Sequence, residues 1–96
     1  MSEFKGTPGP WIVDEDFDVT TNDGRVVAWT ALGVFEHEET ISNAQLIAAA
    51  PDLLEACQRA RNQFYAAGYE PKAGSMNPTE CLLAQLIAAI SKATGE

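Results

Sequence analysis

Residues 43–56 read NAQLIAAAPDLLEA, a run of strong helix formers with Pro51 in its middle. A proline inside a helix removes a backbone hydrogen bond and crowds the preceding turn, at a cost of about 3 kcal/mol. In the first turn of a helix the missing N–H had no partner to lose. The run therefore predicts one helix that stops short of Pro51 and a new one, or a sharply kinked continuation, that begins there. Asp52 then lies in a first turn, at the positive end of the helix dipole.

Working outward, the upstream helix starts inside TISNAQLIAAA, with Thr40 or Ser42 as its N-cap and Glu38 and Glu39 just before it. Downstream, Leu53, Cys57, Ala60, Phe64 and Ala67 alternate spacings of four and three, and Leu46 and Ala50 extend that seam backwards. Leu54 and Arg61 lie on its flank. Such a pattern buries a stripe against other helices. Gly68 is a natural end for it. A connector follows, and then NPTECLLAQLIAAISKATG, residues 77–95. There Asn77 is the N-cap, Pro78 fills the first turn and Glu80 stands where a capping-box acid belongs. Leu83, Leu86, Ile87 and Ile90 form the buried stripe.

The N-terminal third has β character. KGTPGPW is an extended, turn-prone lead-in, and Trp11 anchors it to the core. Strands are expected over Trp11–Val13, Phe17–Thr21 and Arg25–Thr30, with Asn22-Asp23-Gly24 as the turn of the second hairpin. A short fourth strand is expected around Val34 and Phe35. The fold class is α+β: a small N-terminal antiparallel β-meander packed on two or three C-terminal helices. Residues 1–96 read as a single domain, with an arm over 1–10, the meander over 11–36 and the helical part over 40–96.

TPGPW near the start, paired with NAQLIAAAPDLLEA, resembles a group of small phage and prophage proteins. Those join a Thr-Pro-Gly-Pro-Trp arm to a stretch like Asn-Ala-Arg-Leu-Ile-Ala-Ala-Ala-Pro-Glu-Leu-Leu. Here Gln45 stands at the usual basic position and Asp52 at one that is often Glu. The resemblance implies a phage accessory protein. Accessory proteins of this size often counter host immunity, by binding a host effector or by soaking up a nucleotide signal as oligomeric sponges.

The chain carries 14 acidic against 6 basic side chains, for a formal charge of −8. The excess is N-terminal, in Asp14, Glu15, Asp16, Asp18 and Asp23 and again in Glu36, Glu38 and Glu39. That field opposes direct nucleic-acid binding. No apolar run reaches the length of a membrane span, and Met1 to Pro10 does not read as a signal peptide. The expectation is a cytoplasmic protein of the infected bacterium, with no membrane association. Cys57 and Cys81 sit in helical patterns and read as reduced packing residues.

Chemistry is sparse. His37 stands among three carboxylates, but neighbours in sequence diverge rather than converge on a metal ion. DEDFD lacks the spacing of a calcium loop. With one histidine and no glycine-rich phosphate loop, no nucleophile–base pair is visible. The chain is expected to be no enzyme, with no metal and no cofactor. A binding role is expected instead, with sequestration of a nucleotide-derived signal as the first reading. The site would take that immune signal with Arg59, Arg61 or Arg25 on phosphates and Tyr65, Trp11 or Trp29 stacking on a base; Arg59 and Arg61 diverge by about 200° on a helix, so an oligomer would complete it. Trp11 and Trp29 also read simply as core residues. The alternative is an acidic protein contact or nucleic-acid mimic through Asp14, Asp16, Asp18, Glu36 and Glu38, acting on a host defence effector. A structural or regulatory phage role is the third reading. The small core and the alanine-rich seam favour a homo-oligomer.

Overall fold

The computed structural model describes residues 3–30, 36–72 and 74–96. The fourth strand expected around Val34 and Phe35 lies outside them. Strands β1 (Trp11–Val13), β2 (Val19–Thr21) and β3 (Val26–Ala28) form an antiparallel sheet in the order β1-β2-β3. Helices α1 (His37–Ala48), α2 (Ala50–Ala66) and α3 (Pro78–Thr94) follow, so the chain is α+β.

Pro51 does what its chemistry requires. Helix α1 stops at Ala48, and the N–H of Ala49 donates back to the carbonyl of Gln45 at 3.0 Å. The Ala49 carbonyl in turn accepts from Leu53 N–H at 2.9 Å, which opens α2 with Pro51 in its first turn. Neither Thr40 nor Ser42 is the N-cap of α1. The helix begins at His37 after Glu36, so Glu38 and Glu39 sit in its first turn. Thr40 is buried inside it, its N–H on the Glu36 carbonyl at 2.9 Å. The acids at the positive helix end make this earlier start favourable without a hydroxyl cap.

The chain divides into two compact units, Gly6–Leu53 and Leu54–Glu96 with the start of the chain up to Lys5. In the first, α1 packs on β1 and β2, and Val19 and Ala44 are fully buried. Thr20, Thr21 and Thr40 are buried too. In the second, Leu83 and Ile90 of α3 are fully buried, on the stripe expected for them. Asn77 caps α3 by accepting from Thr79 N–H at 2.9 Å, and the C-cap is Gly95. Glu80 does not reach back to Asn77 directly: the Ser75 hydroxyl donates to Glu80 at 2.7 Å and accepts from Asn77 N–H at 3.0 Å.

The seam of α2 is rotated from its expected position. Leu54, Cys57, Gln58, Ala60, Arg61 and Phe64 are half-buried, whereas Leu53 and Ala67 are exposed. Leu46 of α1, expected on the same seam, is exposed as well. Periodicity alone could not choose between the two tracks.

Candidate functional site

The acidic β1–β2 loop is built by its own carboxylates. Asp14 Oδ1 accepts from the N–H groups of Asp16 and Asp18, each at 2.9 Å. The Asp14 carbonyl takes Phe17 N–H at 3.1 Å, and Phe17 adopts φ 64°, a left-handed conformation that a non-glycine residue seldom takes. Asp18 Oδ1 accepts from Thr30 N–H at 3.0 Å, and the Thr30 hydroxyl donates to the Phe17 carbonyl. The Phe17 ring meets the His37 ring edge-on, centroids 5.3 Å apart. Phe17 is thus a turn residue, not the strand residue its aromatic ring suggested.

The second hairpin is also acid-organised. Gly24, at φ 86°, supplies the positive dihedral the turn needs. The Thr21 hydroxyl donates to Asp23 and accepts from Arg25 N–H at 3.2 Å. Arg25 Nε lies 3.1 Å and 3.3 Å from the two Asp23 oxygens. The Thr21 hydroxyl first, and then Arg25, hold the Asp23 carboxyl below its ordinary value.

Between these loops one side of the sheet carries two exposed apolar side chains around the buried Thr20. Ile12 pairs with Thr20 and Thr20 with Val26, so the three share a face. Val19 pairs with both Val13 and Ala28, and an irregularity between Val19 and Thr20 separates the two registers of β3. That bulge places Val26 and Ala28 on opposite sides, and Trp29 follows directly after the strand. Ile12 is 44% exposed, Val26 45% and Trp29 67%. Glu15 and Asp16 are exposed in the loop at one end of this face, Asp23 and Arg25 at the other.

The expected ligand-binding residues divide between the two units. Trp11, Arg25 and Trp29 belong to Gly6–Leu53; Arg59, Arg61 and Tyr65 belong to Leu54–Glu96. Trp11 is half-buried and its indole N–H donates to the Thr7 carbonyl at 3.2 Å, which fits the anchoring role. Trp29 is not a core residue, because the chain leaves the pleat of β3 just before it. Arg25 is paired with Asp23. Arg61 is half-buried, its Nε donating to Asn62 at 3.2 Å, while Arg59 and Tyr65 are exposed. Of the acids, Asp16, Glu36 and Glu38 are exposed, and Asp14 and Asp18 are half-buried with their oxygens on backbone N–H groups. Among the described residues no group of three His, Cys, Asp or Glu side chains converges to hold a metal ion, and no helix is long and apolar enough to cross a membrane. Both cysteines are free. Sequence reading missed that Ile12 and Val26 share a side of the sheet, because a bulge in a three-residue strand leaves no periodic signal.

The N-terminal arm and the stretch around Pro51 meet. A Cβ added at Gly9 would lie 2.9 Å from Pro51 Cβ and 3.2 Å from Pro51 Cγ. The arm residue and the helix-opening proline are therefore neighbours, and only glycine fits the arm at that point. A family model described as Salmonella phage P22 protein Y8K6 matches residues 1–96. Neither a curated protein nor a solved structure matches the chain.

Proposed function

The chain belongs to this phage protein family, and from that premise we propose that it is a non-enzymatic accessory protein that counters host defence by binding a host protein through the outer face of its meander. Trp29 carries the reading. It stands 67% exposed directly after β3, in a unit where Ile12 and Val26 are exposed as well and Val19 is fully buried. Aromatic anchors with a charged surround are the usual centre of a protein contact. The partner this face fits presents an apolar pocket with a basic rim. Asp16, Glu36 and Glu38 steer it from a distance, while Asp14 and Asp18 hold the loop in shape.

The experiment is phage plating on hosts with and without the defence system, comparing wild type with Trp29→Ala. Because Trp29 is exposed, the variant keeps its thermal midpoint, and the expected result is loss of plating only on defended hosts. Equal plating of the folded variant would refute the assignment.

A second reading, capture of a nucleotide signal, is favoured by Arg61 and Tyr65, which stand one turn apart on α2. It predicts that a nucleotide raises the melting temperature and that Arg61→Ala abolishes the rise. No rise with mono-, di- and cyclic nucleotides would exclude it.

A further inference from the structure

We propose that α2 pairs with α2 of a second copy of this chain, antiparallel, with the two-fold axis passing at Ala56. Successive residues turn about 100° on a helix, which puts Leu53, Ala56, Ala60 and Ala67 on one stripe about 60° wide. Leu53 is 49% exposed, Ala56 and Ala67 are exposed and Ala60 is half-buried; no residue of α2 is fully buried. One edge of the stripe carries Asp52 and Arg59, within about 20° of each other around the helix. Both are exposed, and among the described residues neither forms an ion pair within the chain.

The order of those charges identifies the occupant and its direction. A parallel second copy would put the two charged edges on opposite sides of the contact and leave Asp52 and Arg59 unpaired across it. An antiparallel copy with its axis at Ala56 sets Asp52 beside Arg59 of the second copy, and the symmetry repeats the pair. The same axis lays Leu53 over Ala60 of the second copy, a large side chain on a small one. Alanines at the crossing let the backbones approach closely, and the helix dipoles oppose. A shift of one turn in either direction separates both charge pairs and both leucine contacts. The contact is built from α2 residues alone and does not rest on what the meander binds.

Sedimentation equilibrium of the full chain tests it. The wild type should show a reversible monomer–dimer equilibrium. Asp52→Arg or Arg59→Asp alone turns two attractive pairs into two repulsive ones and should raise the dissociation constant about tenfold. The double variant Asp52→Arg/Arg59→Asp restores the pairs and should return to within about threefold of wild type. In a background with Cys57→Ser and Cys81→Ser, Ala56→Cys should form a covalent dimer under mild oxidant, and Ala66→Cys, which this axis sets about 30 Å from its symmetry mate, should not. A wild type monomeric at every concentration, single reversals without effect, a double variant no tighter than the singles, or equal cross-linking at both cysteine positions would each overturn the proposal.

Discussion

Gly9→Ala tests whether the close fit between the arm and Pro51 contributes to the stability of the fold. The added methyl would lie 2.9 Å from Pro51 Cβ and 3.2 Å from Pro51 Cγ. Carbon atoms rest at about 3.5–4.0 Å, so the gap must open by roughly half an ångström. The pyrrolidine ring cannot rotate out of the way, and the arm is held by the Trp11–Thr7 hydrogen bond and by the pairing of Trp11 with Thr21. Overpacking of this kind costs about 1–3 kcal/mol, against a gain of about 0.4–1 kcal/mol from the stiffer unfolded chain. The net expectation is a loss of about 1–2 kcal/mol, read in urea denaturation, with a melting temperature lowered by about 4–8 °C per kcal/mol. Pro51→Gly completes the cycle. With Cβ and Cγ gone, Gly9→Ala should cost at least about 0.5 kcal/mol less than in the wild type. A Gly9→Ala protein as stable as wild type, or an equal loss in both backgrounds, would refute the reasoning.

Asp14→Ala removes the acceptor of two backbone N–H groups and should destabilise by about 1.5–3 kcal/mol; Asp14→Asn keeps an acceptor oxygen and should lose less than half as much in the same urea assay. Asn77→Ala deletes the cap of α3 and should cost about 1 kcal/mol, measured by thermal unfolding. Asp23 titrates below the ordinary aspartate value in the fold, so its stabilising contribution is present above that ordinary value and is lost as the pH falls through the lowered one. Removing Arg25 as Arg25→Ala should move the Asp23 carboxyl titration back upward by NMR, though not fully, because the Thr21 hydroxyl remains. An unchanged titration would show that the ion pair does not shift the group.

Local chemistry was the legible part of the sequence. Pro51, Asn77, Pro78 and Gly24 each act through a single rule of backbone geometry, and each stands where that rule places it. The strand pattern located all three strands but overran two of them, because Phe17 and Trp29 look like strand residues and are not. Phe17 takes the left-handed turn position because Asp14 and Asp18 over-determine the loop around it, a constraint that spans Asp14 to Thr30 and has no periodic signature. The start of α1 was missed for a related reason. Hydroxyl caps are recognisable in sequence, whereas a helix opened on acidic residues looks like a solvated charge run. The rotation of α2 is a tertiary choice between two tracks that share Cys57, Ala60 and Phe64.

The candidate site followed the same division. The acids of the N-terminal module looked like one contact surface, yet the fold assigns them two roles. Asp14, Asp18 and Asp23 spend their oxygens on backbone N–H groups, on Thr21 and on Arg25, so they shape the two loops that bracket the sheet. Asp16, Glu36 and Glu38 remain exposed. A net charge of −8 therefore overstates the charge available for recognition and understates what holds a three-stranded sheet of three-residue strands together. So small a sheet has little ladder hydrogen bonding of its own, and the carboxylate-built loops supply the rest. The bulge in β3 leaves Ile12 and Val26 together on one side of the sheet, and Trp29 follows the strand, exposed. Neutralising the structural acids should thus disturb the apolar face, and neutralising the exposed ones should leave it intact; the two groups of carboxylates separate experimentally on that difference.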